Sequence, residues 1–205
     1  MGDTGEGKTV VAYAIAEQLN KDGVFIYHLD RYKALPKWMH NLPSNRAIEL
    51  KEPNSALVID DAHNYFYAGQ EDDREDLKAI DMINRARRHG GKRSVIYTTQ
   101  QSTVLSRKLI GMTTFLIFKK SSPIQIQFER PEFQKMFLEA NQALENQPIN
   151  IAYVIGSSYK GVVDVDLPRW YNAEISESKE AFQRNNQHTT NPIFGAIAKI
   201  GEIFG

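Results

Sequence analysis

Residues 2–9 of the chain read Gly2-Asp3-Thr4-Gly5-Glu6-Gly7-Lys8-Thr9, a full match to G-x-x-x-x-G-K-[ST]. Glycines let successive backbone N–H groups turn into a concave loop without Cβ interference, and such a loop cradles phosphate. Lys8 has the reach for β- and γ-phosphates, and the Thr9 hydroxyl suits Mg²⁺. The next residues predict a helix. Val11, Ile15 and Leu19 recur at i, i+4 and i+8, and Asp22-Gly23 supplies a stop. The positive end of that helix faces the same anion. All eight residues from Gly2 to Thr9 are therefore candidates for binding ATP, with Mg²⁺ as second cofactor.

The motif ordinarily lies between a buried strand and a helix, and here Met1 alone precedes it. That strand is a central one in a parallel sheet, so its absence exposes neighbouring strand edges. The expectation is a natural start upstream of Met1 or, failing that, a slot filled by another segment or subunit. A chain complete as written is expected to be weakly stable.

Ala56-Leu57-Val58-Ile59-Asp60-Asp61-Ala62-His63 is an apolar run ending in acids, the pattern of a buried parallel strand with carboxylates at its C-terminal tip. Such tips open into the crevice where α/β sheets bind ligands. Asp60 is the candidate metal ligand beside Thr9. Asp61 is the candidate general base for the attacking water, with a plain helix cap as its alternative. A third strand, Ser94 to Gln100, ends in hydroxyls and an amide. A polar tip there can sense the γ-phosphate, and register favours Gln100 over Gln101. Between these strands, Asp73 to His89 reads as a helix ending Arg85-Ala86-Arg87-Arg88-His89-Gly90. Cations suit a helix C-terminus, but three Arg and a His exceed what capping needs. Arg87 and Arg88, with Arg85 beside them, are candidates for a γ-phosphate contact in a neighbouring subunit or for DNA backbone.

Charge is distributed to match. The chain has 205 residues with 25 Lys+Arg and 25 Asp+Glu, a net of zero that by itself argues against a basic nucleic-acid binder. Residues 84–130, however, hold 10 basic side chains and one acid, Glu129, a net of +9. Residues 49–83 hold 3 basic and 10 acidic ones, a net of −7. A local block of that size can hold polyphosphate or a nucleic-acid backbone, although solvated side chains facing the acidic block would also account for it. The length fits one domain with a small appendage. With no cysteine, disulfides, zinc ribbons and thiol nucleophiles are excluded. No apolar run approaches the roughly 20 residues of a spanning helix.

Strands are also expected over residues 24–30, at Phe115-Leu116-Ile117-Phe118, and as a pair between Tyr153 and Leu167. Phe133 to Leu144 reads as an amphipathic helix. Residues 32–55 read as an irregular connection with a short helix, and Lys119-Lys120 as a DNA-facing pair. Residues 1–182 form the expected domain and 183–191 a polar linker. Residues 192–205 form an amphipathic helix that docks on its own domain or a neighbour, or attaches the chain to a membrane or capsid protein.

The Gly2–Thr9 loop, Asp60-Asp61-Ala62-His63, the run Arg87-Arg88-His89-Gly90 and the Thr99-Gln100 strand end together resemble the FtsK/HerA superfamily. Small viral genome-packaging ATPases and Zot-like phage morphogenesis ATPases look closest within it. The resemblance covers residues 2–120. Gly161 to Trp170 also looks like the closing strand and Pro-aromatic exit of the packaging enzymes. It implies an α/β fold of the RecA-like, additional-strand P-loop class, with a mostly parallel sheet flanked by helices and apparently lacking the strand before the loop. It further implies an ATPase ring, usually a hexamer, that translocates double-stranded DNA in a host cytoplasm or virion. The alternatives are membrane-associated phage extrusion and a weakly hydrolysing nucleotide-binding structural subunit. The family usually has Glu where this chain has Asp61, one methylene shorter.

Overall fold

The computed structural model describes residues 1–2, 7–29, 35–42, 53–66, 93–166 and 168–171. Helix α1 (Lys8–Lys21) begins where Gly7, in the left-handed region at φ 80°, turns the chain out of the loop. It ends as expected at Asp22-Gly23. The amides of Asp22, Gly23 and Val24 close back onto Gln18, Asn20 and Leu19 carbonyls, with Gly23 at φ 82°.

Strands β1 (Phe25–Leu29), β2 (Met39–Leu42), β3 (Ser55–Ile59) and β4 (Arg93–Tyr97) form one sheet in the order β2-β1-β3-β4, parallel throughout. All five residues of β3 are buried, as an apolar run in the middle of a parallel sheet should be. Strand β2 corrects the reading of 32–55 as irregular. Its four residues pair with β1 from Ile26↔Met39 to Leu29↔Leu42.

Strands β5 (Phe115–Phe118), β6 (Ile151–Gly156) and β7 (Lys160–Asp164) form a second, antiparallel sheet. Short helices α2 (Arg107–Gly111) and α3 (Pro123–Gln127) and the longer α4 (Pro131–Ala143) connect and cover them. The expectation of a mostly parallel α/β sheet flanked by helices holds, with the antiparallel trio as its extension.

One helix joins the two sheets. Val10, Tyr13 and Ala16 of α1 pack on Ile26, Ala56 and Val58 of the parallel sheet. Val11, a position away, packs on Ala152, Val154 and Val163 of the antiparallel one. Phe133, Phe137 and Ala140 of α4 close over Phe118 and Tyr153.

Between β4 and β5 the described strands do not pair, and an apolar groove of about 190 Å³ stands there. Val11 and Ile15 of α1, Val95 and Tyr97 of β4, and Leu116 and Ile117 of β5 are among the residues lining it. At its end Met1 bridges to β5 in parallel sense. Its nitrogen donates to Ile117 O at 2.6 Å, and its carbonyl accepts the Lys119 N–H at 2.7 Å. Among the described residues no strand bridges β4 and β5 there.

Lys119 is a second correction. It is 2% exposed, and its ammonium donates to the carbonyls of Ile149 and Ile151, so it closes the β5 end rather than facing DNA. Lys120, partly exposed, donates to Gln147 O at 2.9 Å. The expected helix 73–89, the linker 183–191 and the helix 192–205 lie outside the described residues, as does the boundary at 182.

Candidate nucleotide site

Three elements converge on one point. Lys8 and Thr9 open α1, Asp60 and Asp61 follow β3, and Thr98 follows β4. The parallel register pairs Ile59 with Tyr97, so the next residue on each strand, Asp60 and Thr98, emerges beside the other. This is the C-terminal edge of a parallel sheet, where α/β folds build their ligand sites.

The Thr9 hydroxyl donates to the Asp60 carboxylate, 3.1 Å from Oδ1 and 3.0 Å from Oδ2, across 51 residues of chain. The hydroxyl of Thr98 donates to Asp60 Oδ1 at 2.5 Å and accepts the Asp61 N–H at 2.8 Å. Two hydroxyls from different elements therefore orient one carboxylate. Asp61 stands in the left-handed region at φ 49°, ψ 55°, and there the chain turns from β3 into the 3-10 turn Ala62–Asn64. An Asp tolerates that conformation better than most residues, and strain of this kind concentrates where function requires a particular backbone path. Burial, and then the negative charge of Asp60, raise the Asp61 carboxyl above its ordinary value. The charges of His63 and Lys8 pull it back.

The expected site residues fall out as follows. Lys8, Thr9, Asp60 and Asp61 are brought together, with Gly2 and Gly7 framing the loop. Gly2 is buried at φ 145°, and a Cβ there would sit 2.8 Å from Lys119 Cβ, so only glycine passes. Gln100 lies three residues beyond the end of β4, and its carbonyl accepts from Gln125 Nε2 at 3.2 Å. The side chain that reaches Asp60 from this strand is Thr98, which the sequence reading did not single out. The signal was available: β3 and β4 are parallel neighbours, and matching their apolar runs aligns Asp60 with Thr98. Asp3, Thr4, Gly5, Glu6, Arg85, Arg87 and Arg88 lie outside the described residues.

The donor set fits Mg²⁺. A hard cation takes oxygen ligands, and a Thr hydroxyl beside a carboxylate offers two on facing elements. Among the described residues no group of three His, Cys, Asp or Glu offers an all-protein cage. Such a cation completes its shell from phosphate and water.

A family profile, that of novel STAND NTPase 3, matches residues 1–139. That span includes every element of the site. The chain belongs to the novel STAND NTPase 3 family.

As a member of that family the chain is a nucleotide-binding P-loop NTPase, which bears out the coarser part of the resemblance read from the sequence. Solved structures share the fold. The genome packaging NTPase B204 from Sulfolobus turreted icosahedral virus 2, in complex with AMPPCP, aligns with TM-score 0.58 at 15% identity, over 82% of this chain and 96% of that one. The same protein with ATP-gammaS gives 0.56 at 14%, over 82% and 95%. B204, the DNA-packaging ATPase from Sulfolobus turreted icosahedral virus, gives 0.58 at 13%, over 82% and 95%. No curated protein matches. No helix among the described residues is long and apolar enough to cross a membrane.

Proposed function

We propose that this novel STAND NTPase 3 member is an ATP-hydrolysing motor that translocates double-stranded DNA, packaging a viral genome as a ring of copies, a hexamer by preference. The observation that carries the reading is the Thr9–Asp60 contact beside Lys8, which joins a phosphate loop to a strand-end carboxylate. The likeness in fold to B204, itself a DNA-packaging ATPase, supports the choice of DNA as the driven substrate. The placement within the FtsK/HerA superfamily belongs to the same proposal, as does a site of action in the host cell or virion.

In this mechanism Lys8 holds the β- and γ-phosphates, and Thr9 and Asp60 hold Mg²⁺. When bound, the metal offsets phosphate charge. Asp61 orients the attacking water and accepts its proton. Thr98 keeps Asp60 turned toward Thr9, and Gln100 reports the state of the γ-phosphate. Arg87 or Arg88 supplies positive charge to a neighbouring copy's nucleotide. The basic side chains of residues 84–130 other than the buried Lys119 provide the DNA-facing charge, and residues 192–205 contact a capsid protein or membrane.

The test is ATPase activity of wild type and Lys8→Ala with and without double-stranded DNA. Activity that DNA stimulates and Lys8→Ala abolishes supports the motor. Activity indifferent to DNA, with no salt-dependent DNA binding, moves the chain to a nucleotide-binding structural subunit.

A further inference from the structure

Glu129 is a buried acid with no place in the chemistry above. It lies in the turn between α3 and α4, 3% exposed, and one oxygen carries its hydrogen bonding. Oε2 accepts both the backbone N–H of Ser102, at 2.8 Å, and the Ser102 hydroxyl. Among the described residues Oε1 has no hydrogen-bond partner. A carboxylate taken out of water is costly, and stability alone rarely calls for one where a neutral group would serve.

The segment it grips is the one leaving the site. Ser102 is fully buried and follows Thr98 by four residues. Helix α3 and the turn after it hold that segment at further points. Gln125 Nε2 donates to Gln100 O at 3.2 Å, and Gln101 Nε2 donates to Gln125 Oε1 at 3.5 Å. Arg130 Nη2 donates to Leu105 O at 2.7 Å, and Arg130 N to Ser102 Oγ at 3.4 Å. Within the segment, the Thr99 hydroxyl donates to Gln101 O at 2.9 Å. Glu129 thus holds Ser102, four residues along the backbone from Thr98, whose hydroxyl in turn holds the Asp60 carboxylate beside Thr9.

We propose that Glu129 is a positioning residue. By fixing residues 100–105 it sets the β4 tip, and through Thr98 it sets the orientation of the Asp60 carboxylate and the Asp61 backbone. Gln125 and Arg130 assist at either end of the segment. The kinetic consequence rests on the ATPase reading; the structural coupling does not.

The experiment therefore has two arms on the full chain. Amide hydrogen exchange compares wild type, Glu129→Ala and Glu129→Gln. The control is Asn141→Ala, which removes the tie of α4 to the Ser121 backbone away from the site. Glu129→Ala is expected to lower protection at residues 100–105 and at the Asp61 amide by about tenfold or more, with Glu129→Gln recovering part of it. Asn141→Ala is expected to leave those amides as they are. The second arm measures steady-state ATPase, where Glu129→Ala is expected to lower kcat about 10- to 100-fold with nucleotide KM within about threefold. Loss of protection spread evenly over the domain, or equal in Asn141→Ala, overturns the proposal. So does wild-type kcat in Glu129→Ala. A wild type without ATPase activity defeats the motor reading but leaves the exchange arm to decide the coupling.

Discussion

The hydroxyl of Thr98 lies 2.5 Å from Oδ1 of Asp60, although 38 residues separate them in the chain. Strand pairing creates this contact, and the contact decides which way the carboxylate turns. Thr98→Val keeps the shape and removes the hydroxyl. The lost bond goes to a charged group, so kcat/KM for ATP should fall by roughly 10- to 100-fold, while Thr98→Ser should stay near wild type. Steady-state kinetics on the three proteins checks this.

Lys119 should behave as a structural residue. Lys119→Met removes the donor that serves the Ile149 and Ile151 carbonyls and leaves both partly buried acceptors without it. A loss of about 2–4 kcal/mol by denaturant titration is expected. DNA affinity of the folded fraction should be unchanged, in contrast to substitution of a residue that faces the phosphates.

The antiparallel sheet carries a pH-dependent contact away from the site. Glu139 accepts from Lys160 Nζ at 2.8 Å and from the Tyr153 hydroxyl at 2.6 Å, and these bonds, Lys160 first, hold its carboxyl below the ordinary value. Burial, and then Glu139, push the Tyr153 phenol up to about 12, so it remains a donor throughout the usual range. A carboxyl lowered by folding stabilises the native state above its unfolded pKa, and the contribution disappears as pH falls through the folded value. Glu139→Gln should therefore lower Tm slightly at pH 7, with the difference closing below about pH 4. Because the pair is exposed, added salt should shrink the effect. Thermal melts across pH and salt test both statements.

Gly156 lies opposite Phe115 in the β5–β6 register, and a Cβ on it would run into the Phe115 ring. Gly156→Ala should cost about 1–3 kcal/mol by overpacking. Adding Phe115→Leu should return part of that, a coupling that a double-mutant cycle measures.

The elements with strong local signals were legible before any coordinates. The helix behind the Gly2–Thr9 motif, the run Leu57-Val58-Ile59 ending in Asp60 and the strand at Phe115–Phe118 all stand where expected. The α4 helix starts at Pro131, two residues before the predicted Phe133. Strand β2 was missed because Met39-His40-Asn41-Leu42 shows no alternation, and its two central polar residues face solvent at an edge. The burial of Lys119 was missed because nothing local to a Lys-Lys pair reveals that carbonyls from residues 149 and 151 converge on it. Thr98 and Glu129 were missed for the same reason: their roles exist only across a strand pair and a helix turn.

Helix α1 has Val10 against one sheet and Val11 against the other, and it carries Lys8 at its first turn. Phosphate binding at that turn is therefore thermodynamically linked to the seating of both sheets. A nucleotide at 100 times its Kd adds about 2.7 kcal/mol to the folded state, and the shared helix distributes that gain over the entire domain. Saturation with ATP should raise the melting temperature of the parallel and antiparallel halves together, as a single cooperative transition.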